Sequence, residues 1–114
     1  MSEASFFSIY RQGMLRVTTV APILSIVQPT VNAERTLSAL RAAHAAQSGL
    51  VVFPELGMTG YAIDDLLLQD AVLDAAEQAI VKIVEGSRQL FPVAIVGAPL
   101  RVAGRLYNLS LIHI

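Results

Sequence analysis

Apolar residues in this chain follow two alternating patterns. From residue 50 to 53 they run unbroken, rich in valine, and stop at Pro54. Such a run reads as a strand buried on both faces of a parallel sheet. Proline cannot donate to the ladder, so the strand ends there. Residues 15–21, loosely alternating and β-branched, predict an earlier strand, with 23–27 continuing it past a break at Pro22. Residues 92–97 predict a third strand and 106–111 a fourth, with a turn at 102–105 between them. Elsewhere the spacing becomes helical. Leu37, Leu40 and His44 recur on one face of an alanine-rich helix, expected to run from an Asn32 N-cap to about Ser48, with Gly49 just past its end. A second helix is predicted over 71–89, with the stripe Leu73, Ala76, Ile80, Ile83 and Val84. Residues 64–69 predict a short helix or turn, and residues 1–13 an extension ahead of the core. Strands alternating with helices predict an α/β domain with parallel central strands.

Composition narrows the classes. The 114 residues are room for one small domain, and 54% are hydrophobic against 15% charged, which is apolar for a soluble domain. No uninterrupted apolar stretch approaches the ~18 residues that a spanning helix needs. The start, Met-Ser-Glu-Ala-Ser, lacks the positive charge of a signal peptide, so a cytoplasmic protein with no membrane role is expected. The apolar excess then implies much buried sheet, or a face that expects a partner. A net charge of −1 without a basic cluster argues against nucleic-acid binding. With no cysteine, disulfides and thiolate metal sites are excluded.

Chemistry concentrates just after the central strand. Glu55 follows Pro54 at the strand's carboxyl end, where open α/β sheets place their ligand sites. Burial there would disfavour the charged form and suit a general base. The plainer reading is a glutamate that caps the next turn. Asp64 and Asp65 have no histidine or third carboxylate at ligand spacing, and read as a solvated N-cap cluster rather than a metal pair. His44 reads as a partly buried structural histidine. Lys82, the single lysine, lies inside the second helix, where a long stem snorkels to solvent, and it is given no catalytic part. No Gly-x-Ser-x-Gly elbow and no Gly-rich phosphate loop is present.

Four ordered segments carry a resemblance. Phe53-Pro54-Glu55 resembles the first catalytic motif of the nitrilase, or carbon–nitrogen hydrolase, superfamily. Gly60-Tyr61-Ala62-Ile63-Asp64-Asp65-Leu66-Leu67-Leu68-Gln69-Asp70 resembles the glutaminase domains of glutamine-dependent NAD+ synthetases. So do Phe6-Phe7-Ser8-Ile9-Tyr10-Arg11-Gln12-Gly13 near the start and Val96-Gly97-Ala98-Pro99-Leu100-Arg101, followed by Gly104-Arg105-Leu106-Tyr107-Asn108. The resemblance covers residues 5–108 or so, and implies the N-terminal portion of an α-β-β-α sandwich that assembles into homo-oligomers. It implies a Glu-Lys-Cys triad with Glu55 as the proton acceptor, Tyr61 lining a glutamine pocket, and a synthetase domain using ATP and Mg2+ beyond this chain. Tyr61 has an alternative reading as a loop aromatic packed on the core. The triad's lysine and cysteine have no counterpart here, and truncation explains both at once. A stand-alone amidase and a non-catalytic binding or assembly module are the other classes.

Residues 14–108 are therefore expected to form the partial hydrolase domain. Residues 109–114, Leu-Ser-Leu-Ile-His-Ile, are also the translation of CTG TCT CTT ATA CAC ATC, a transposon end used in sequencing libraries. They are expected to be an adapter-derived tail that includes His113, with a genuine strand as the alternative.

Overall fold

The computed structural model describes residues 6–113. A four-stranded sheet has the order β1 (Val17–Thr19), β2 (Leu50–Val52), β3 (Val93–Val102), β4 (Arg105–His113). The first three strands are parallel, and β4 runs antiparallel to β3. Helix α1 (Pro29–Ala45) links β1 to β2, and α2 (Asp70–Ser87) links β2 to β3. With the strands in sequence order, crossovers of one hand place both helices on the same face. Leu37, Leu40 and Ala43 of α1 and Ala79 and Ile83 of α2 accordingly bury against Val51, Phe53, Ala94, Val96 and Ala98 of the sheet. The result is a helix layer on a sheet layer, half of an α-β-β-α sandwich.

Several boundaries differ from the sequence expectation, each for a local reason. Helix α1 begins at Pro29 rather than after Asn32. Proline fits the first helical position because its φ is preset and its lost N–H has no helical partner there. Asn32 is instead wholly buried inside the first turn: it accepts from the Ser25 N–H at 2.8 Å and donates to the carbonyls of Ser25 (2.8 Å) and Met58 (3.0 Å). Those bonds, with Arg35 donating to the Ile23 carbonyl at 2.7 Å, fasten the 23–27 segment, which forms no strand. The first strand keeps three residues, Val17–Thr19, all paired with the equally short β2. At the other end of α1, Gln47 rather than Gly49 takes the left-handed conformation, at φ 58°, and the Ser48 N–H closes the end on the Ala43 carbonyl at 2.9 Å.

Helix α2 starts at Asp70, one residue early, its first turn closing on the Gln69 carbonyl through the Val72 and Leu73 N–H groups. Arg101 at the end of β3 pairs with Asp70 and reaches Asp74 at 3.5 Å. The stripe holds: Leu73, Ala76 and Ile83 are buried and Ile80 and Val84 half-buried. Strands β3 and β4 outrun their expected lengths as one hairpin. Its two turn residues, Ala103 and Gly104, both have positive φ (51° and 76°), the geometry that matches the strands' twist. The pairing continues through residues 109–113, where Leu111 meets Val96 and Ile112 meets Ile95.

The second face of the sheet carries Val17, Leu50, Val52, Val93, Ile95 and Ile112, one face of the pleat by alternation and register. Val17 is 51% and Ile112 62% exposed, and the other four are half-buried. Among the described residues this apolar face has no second layer over it. In the extension, Tyr10 closes a 3₁₀ turn (Tyr10–Gln12), donates to the Gln47 carbonyl, and meets Phe91 edge-on with ring centroids 5.7 Å apart.

Candidate active site

The site is built on the loop that leaves β2. Past Val52 the chain keeps one more sheet bond, from the Phe53 N–H to the Ile95 carbonyl at 2.9 Å. Pro54 then ends the ladder, and the loop folds back across β3. The crossing is close because Gly97 has no side chain: a Cβ there would lie 2.6 Å from the Pro54 oxygen, 2.7 Å from the Leu56 nitrogen and 3.0 Å from the Glu55 Cα. The Met58 N–H donates to the Gly97 carbonyl at 3.1 Å and pins the loop. Leu56 turns the chain sharply in the left-handed region at φ 51°. A bulky residue in that region is a backbone outlier of the kind found where a site must present a neighbouring side chain. Gly60 (φ 87°) completes the turn, its N–H bonded to the Leu56 carbonyl at 2.8 Å.

Glu55 is thereby presented on the face of the sheet opposite the helices, since Gly97 shares the parity of Val93 and Ile95. It does not cap the turn that follows. Its Oε1 accepts a hydrogen bond from the amide Nδ2 of Asn108 on β4. Asn108 stands directly across from Pro99 in the hairpin, two positions along β3 from Gly97. The burial expected for Glu55 is not found: its side chain is exposed, because the face it shares with Val52 and Ile95 is uncovered.

The remaining candidates fall elsewhere. Tyr61 follows the same loop and is 72% exposed, so it is not the core-packed aromatic of the alternative reading. Asp64 and Asp65 begin the 3₁₀ helix Asp64–Leu68, whose cap position is Ile63, so they are first-turn residues rather than caps. His44 is exposed rather than partly buried, and its Nδ1 accepts the Phe91 N–H at 2.9 Å, a structural role. Lys82 pairs with Glu34 of α1 across the helix layer. The hydrogen bond and charge of Lys82, helped by Arg41, hold the Glu34 carboxyl below its usual range against a small opposing effect of burial. His113 as a side chain lies outside the described residues. Among those residues, no group of three His, Asp or Glu could hold a metal ion, and no helix is long and apolar enough to cross a membrane.

Sequence reasoning gave Asn108 only as part of a motif and gave Gly97 no structural role. Both were within reach: a two-residue turn at 103–104 sets Asn108 opposite Pro99, on the same side of the sheet as Gly97.

The α/β half-sandwich, with Phe53-Pro54-Glu55 at the carboxyl end of a central parallel strand, has the layout expected of the carbon–nitrogen hydrolase family. The chain belongs to that family: the carbon–nitrogen hydrolase pattern matches residues 18–113. Within the family it is 44% identical over 108 residues to the glutamine-dependent NAD(+) synthetase of Mycobacterium tuberculosis, covering 95% of this chain and 16% of that protein. It is 43% identical over 107 residues to the Mycobacterium leprae protein of the same name, covering 94% and 16%. The crystal structure of a glutamine-dependent NAD(+) synthetase from Cytophaga hutchinsonii superposes with a TM-score of 0.79 at 27% identity, covering 87% of this chain and 17% of that one. An amidase from Nesterenkonia sp. shares the fold at a TM-score of 0.60 and 19% identity, covering 75% and 32%. The chain thus spans 16% of the length of its mycobacterial relatives.

Proposed function

We propose that this chain is the N-terminal part of the glutaminase domain of a glutamine-dependent NAD+ synthetase, and that Glu55 is its general base. The observation that carries the reading is the placement of Glu55. A carboxylate sits past the end of a central strand on a loop held by a glycine contact, in a chain whose relatives bear that enzyme's name. In the proposed reaction Glu55 takes the proton of a cysteine thiol supplied by the rest of the domain. The thiolate attacks the glutamine amide carbon, and a lysine, also outside this chain, steadies the oxyanion. The proton passes to the leaving nitrogen as ammonia departs, and water then releases glutamate from the thioester. Tyr61, exposed beside the Glu55 loop, is proposed to line the glutamine pocket.

ATP and Mg2+ would serve the amidation of deamido-NAD in a synthetase domain. The described residues here do not fit them, offering neither a cluster of metal ligands nor a phosphate loop. The longer protein is proposed to be a cytoplasmic homo-oligomer, the partial hydrolase domain being residues 14–108. The reading of residues 109–114 as adapter-derived rests on their match to a translated transposon end, while the family match to residue 113 and the β4 pairing through 113 favour a genuine strand. Coding sequence continuing in frame past Ile114 in the parent locus would refute the adapter reading.

The function is tested with Glu55→Gln in the full-length protein. Glutamine-dependent NAD+ formation is expected to fall by ~10²–10⁴-fold, the usual loss for a general base, with turnover on free ammonia retained. Equal loss with both nitrogen donors would show that Glu55 is structural.

A further inference from the structure

We propose that Asn108 is a positioning residue for Glu55, a role that rests on the reading of Glu55 as the base. Glu55 is an exposed side chain on a loop, free by itself to sample several rotamers. The described structure gives it one partner, the Asn108 amide at Oε1. Asn108 is well placed to fix a direction. It stands on β4 in continuous antiparallel register with β3, opposite Pro99, so its own backbone is held on a strand rather than a loop. The same β3 segment supports the Glu55 backbone at Gly97. Backbone and side chain of the base are therefore fixed from one hairpin.

The chemistry of the contact suits this role. An asparagine amide donates without carrying charge, so it orients a carboxylate without neutralising it as a lysine or arginine would. Occupying Oε1 leaves Oε2 as the oxygen that accepts the thiol proton. Asn108 has no part in the proton transfer itself. Its contribution is geometric, and a misplacement on the order of 1 Å at a reacting group costs up to about 10²-fold in rate.

Five full-length proteins decide the matter: native, Glu55→Gln, Asn108→Leu, Asn108→Asp, and the double variant of Glu55→Gln with Asn108→Leu. Each is assayed for kcat and KM with glutamine and separately with ammonia. Asn108→Leu is expected to lower kcat with glutamine by about 10- to 100-fold, with KM for glutamine within about twofold and the ammonia rate unchanged. Added to Glu55→Gln it should cost nothing more, because it acts through that carboxylate. Asn108→Asp, of nearly the same shape, should lose glutamine turnover at least as badly, since it sets a like charge against Glu55.

A fall in ammonia turnover equal to that with glutamine would make Asn108 merely structural and overturn the proposal. So would a raised KM at constant kcat, a native rate, or a further loss in the double variant. Full glutamine turnover in Glu55→Gln would overturn the base assignment itself, an outcome distinct from failure of Asn108 alone.

Discussion

Gly97→Ala is the sharpest structural test of the site. The added methyl would meet three backbone atoms, at 2.6 Å (Pro54 oxygen), 2.7 Å (Leu56 nitrogen) and 3.0 Å (Glu55 Cα). Ordinary van der Waals contact begins near 3.4 Å, so the Pro54 oxygen must retreat by roughly 0.8 Å. No flexible side-chain end is available to yield. Overpacking of this kind costs ~1–3 kcal/mol. The retreat also strains the Met58-to-Gly97 hydrogen bond and draws Glu55 away from Asn108. A shift near 1 Å at a catalytic group predicts about a 10²-fold loss of glutamine-dependent turnover in the full-length protein, with ammonia-dependent turnover kept. Amide exchange reports the same event locally: the Met58 N–H should exchange faster, while the Val51 and Val96 amides deep in the sheet keep their protection. Native turnover with unchanged Met58 exchange would refute the claim that Gly97 sets the position of the Glu55 loop.

Further outcomes follow from single observations. The 114-residue chain alone should release no ammonia from glutamine, because it has no cysteine to form the acyl intermediate; release above a buffer blank that Glu55→Gln abolishes would contradict this. With Val17 and Ile112 at 51% and 62% exposure on an uncovered sheet face, the same chain should bind hydrophobic dye and self-associate; a dye-free monomer with a cooperative melt would count against it. Asn32→Leu strips partners from the Ser25 N–H and from the carbonyls of Ser25 and Met58, at ~1–3 kcal/mol for each group left buried and unpaired, so a urea midpoint within error of native would be unexpected. The lowered Glu34 carboxyl gives stability that is fully present above the ordinary glutamate pKa of 4.5 and fades as pH falls through the lowered value. Lys82→Met should return Glu34 to its ordinary titration by carboxyl NMR; an unmoved titration would show that Lys82 is not the cause.

The sequence by itself determined the strand–helix alternation, both helices, the central strand and the point at which Glu55 leaves it. Those features rest on local physics: a four-residue apolar run stopped by proline, and apolar stripes at helical spacing. Asn32 shows where local reasoning fails. As an isolated residue before a helix it is a good cap, yet Pro29 starts the helix earlier and the backbone of half-buried Ser25 and buried Met58 claims its side chain. Gln47 likewise takes the left-handed position expected of Gly49, whose N–H and carbonyl are already engaged by Arg16 and Val93 at the start of the sheet. The exposure of Glu55 was also beyond the sequence. Burial at a strand end depends on what covers the face, and here the helices cover the other one. The partnership of Glu55 with Asn108 joins residues 53 positions apart, and only the register of β3 with β4 brings them together.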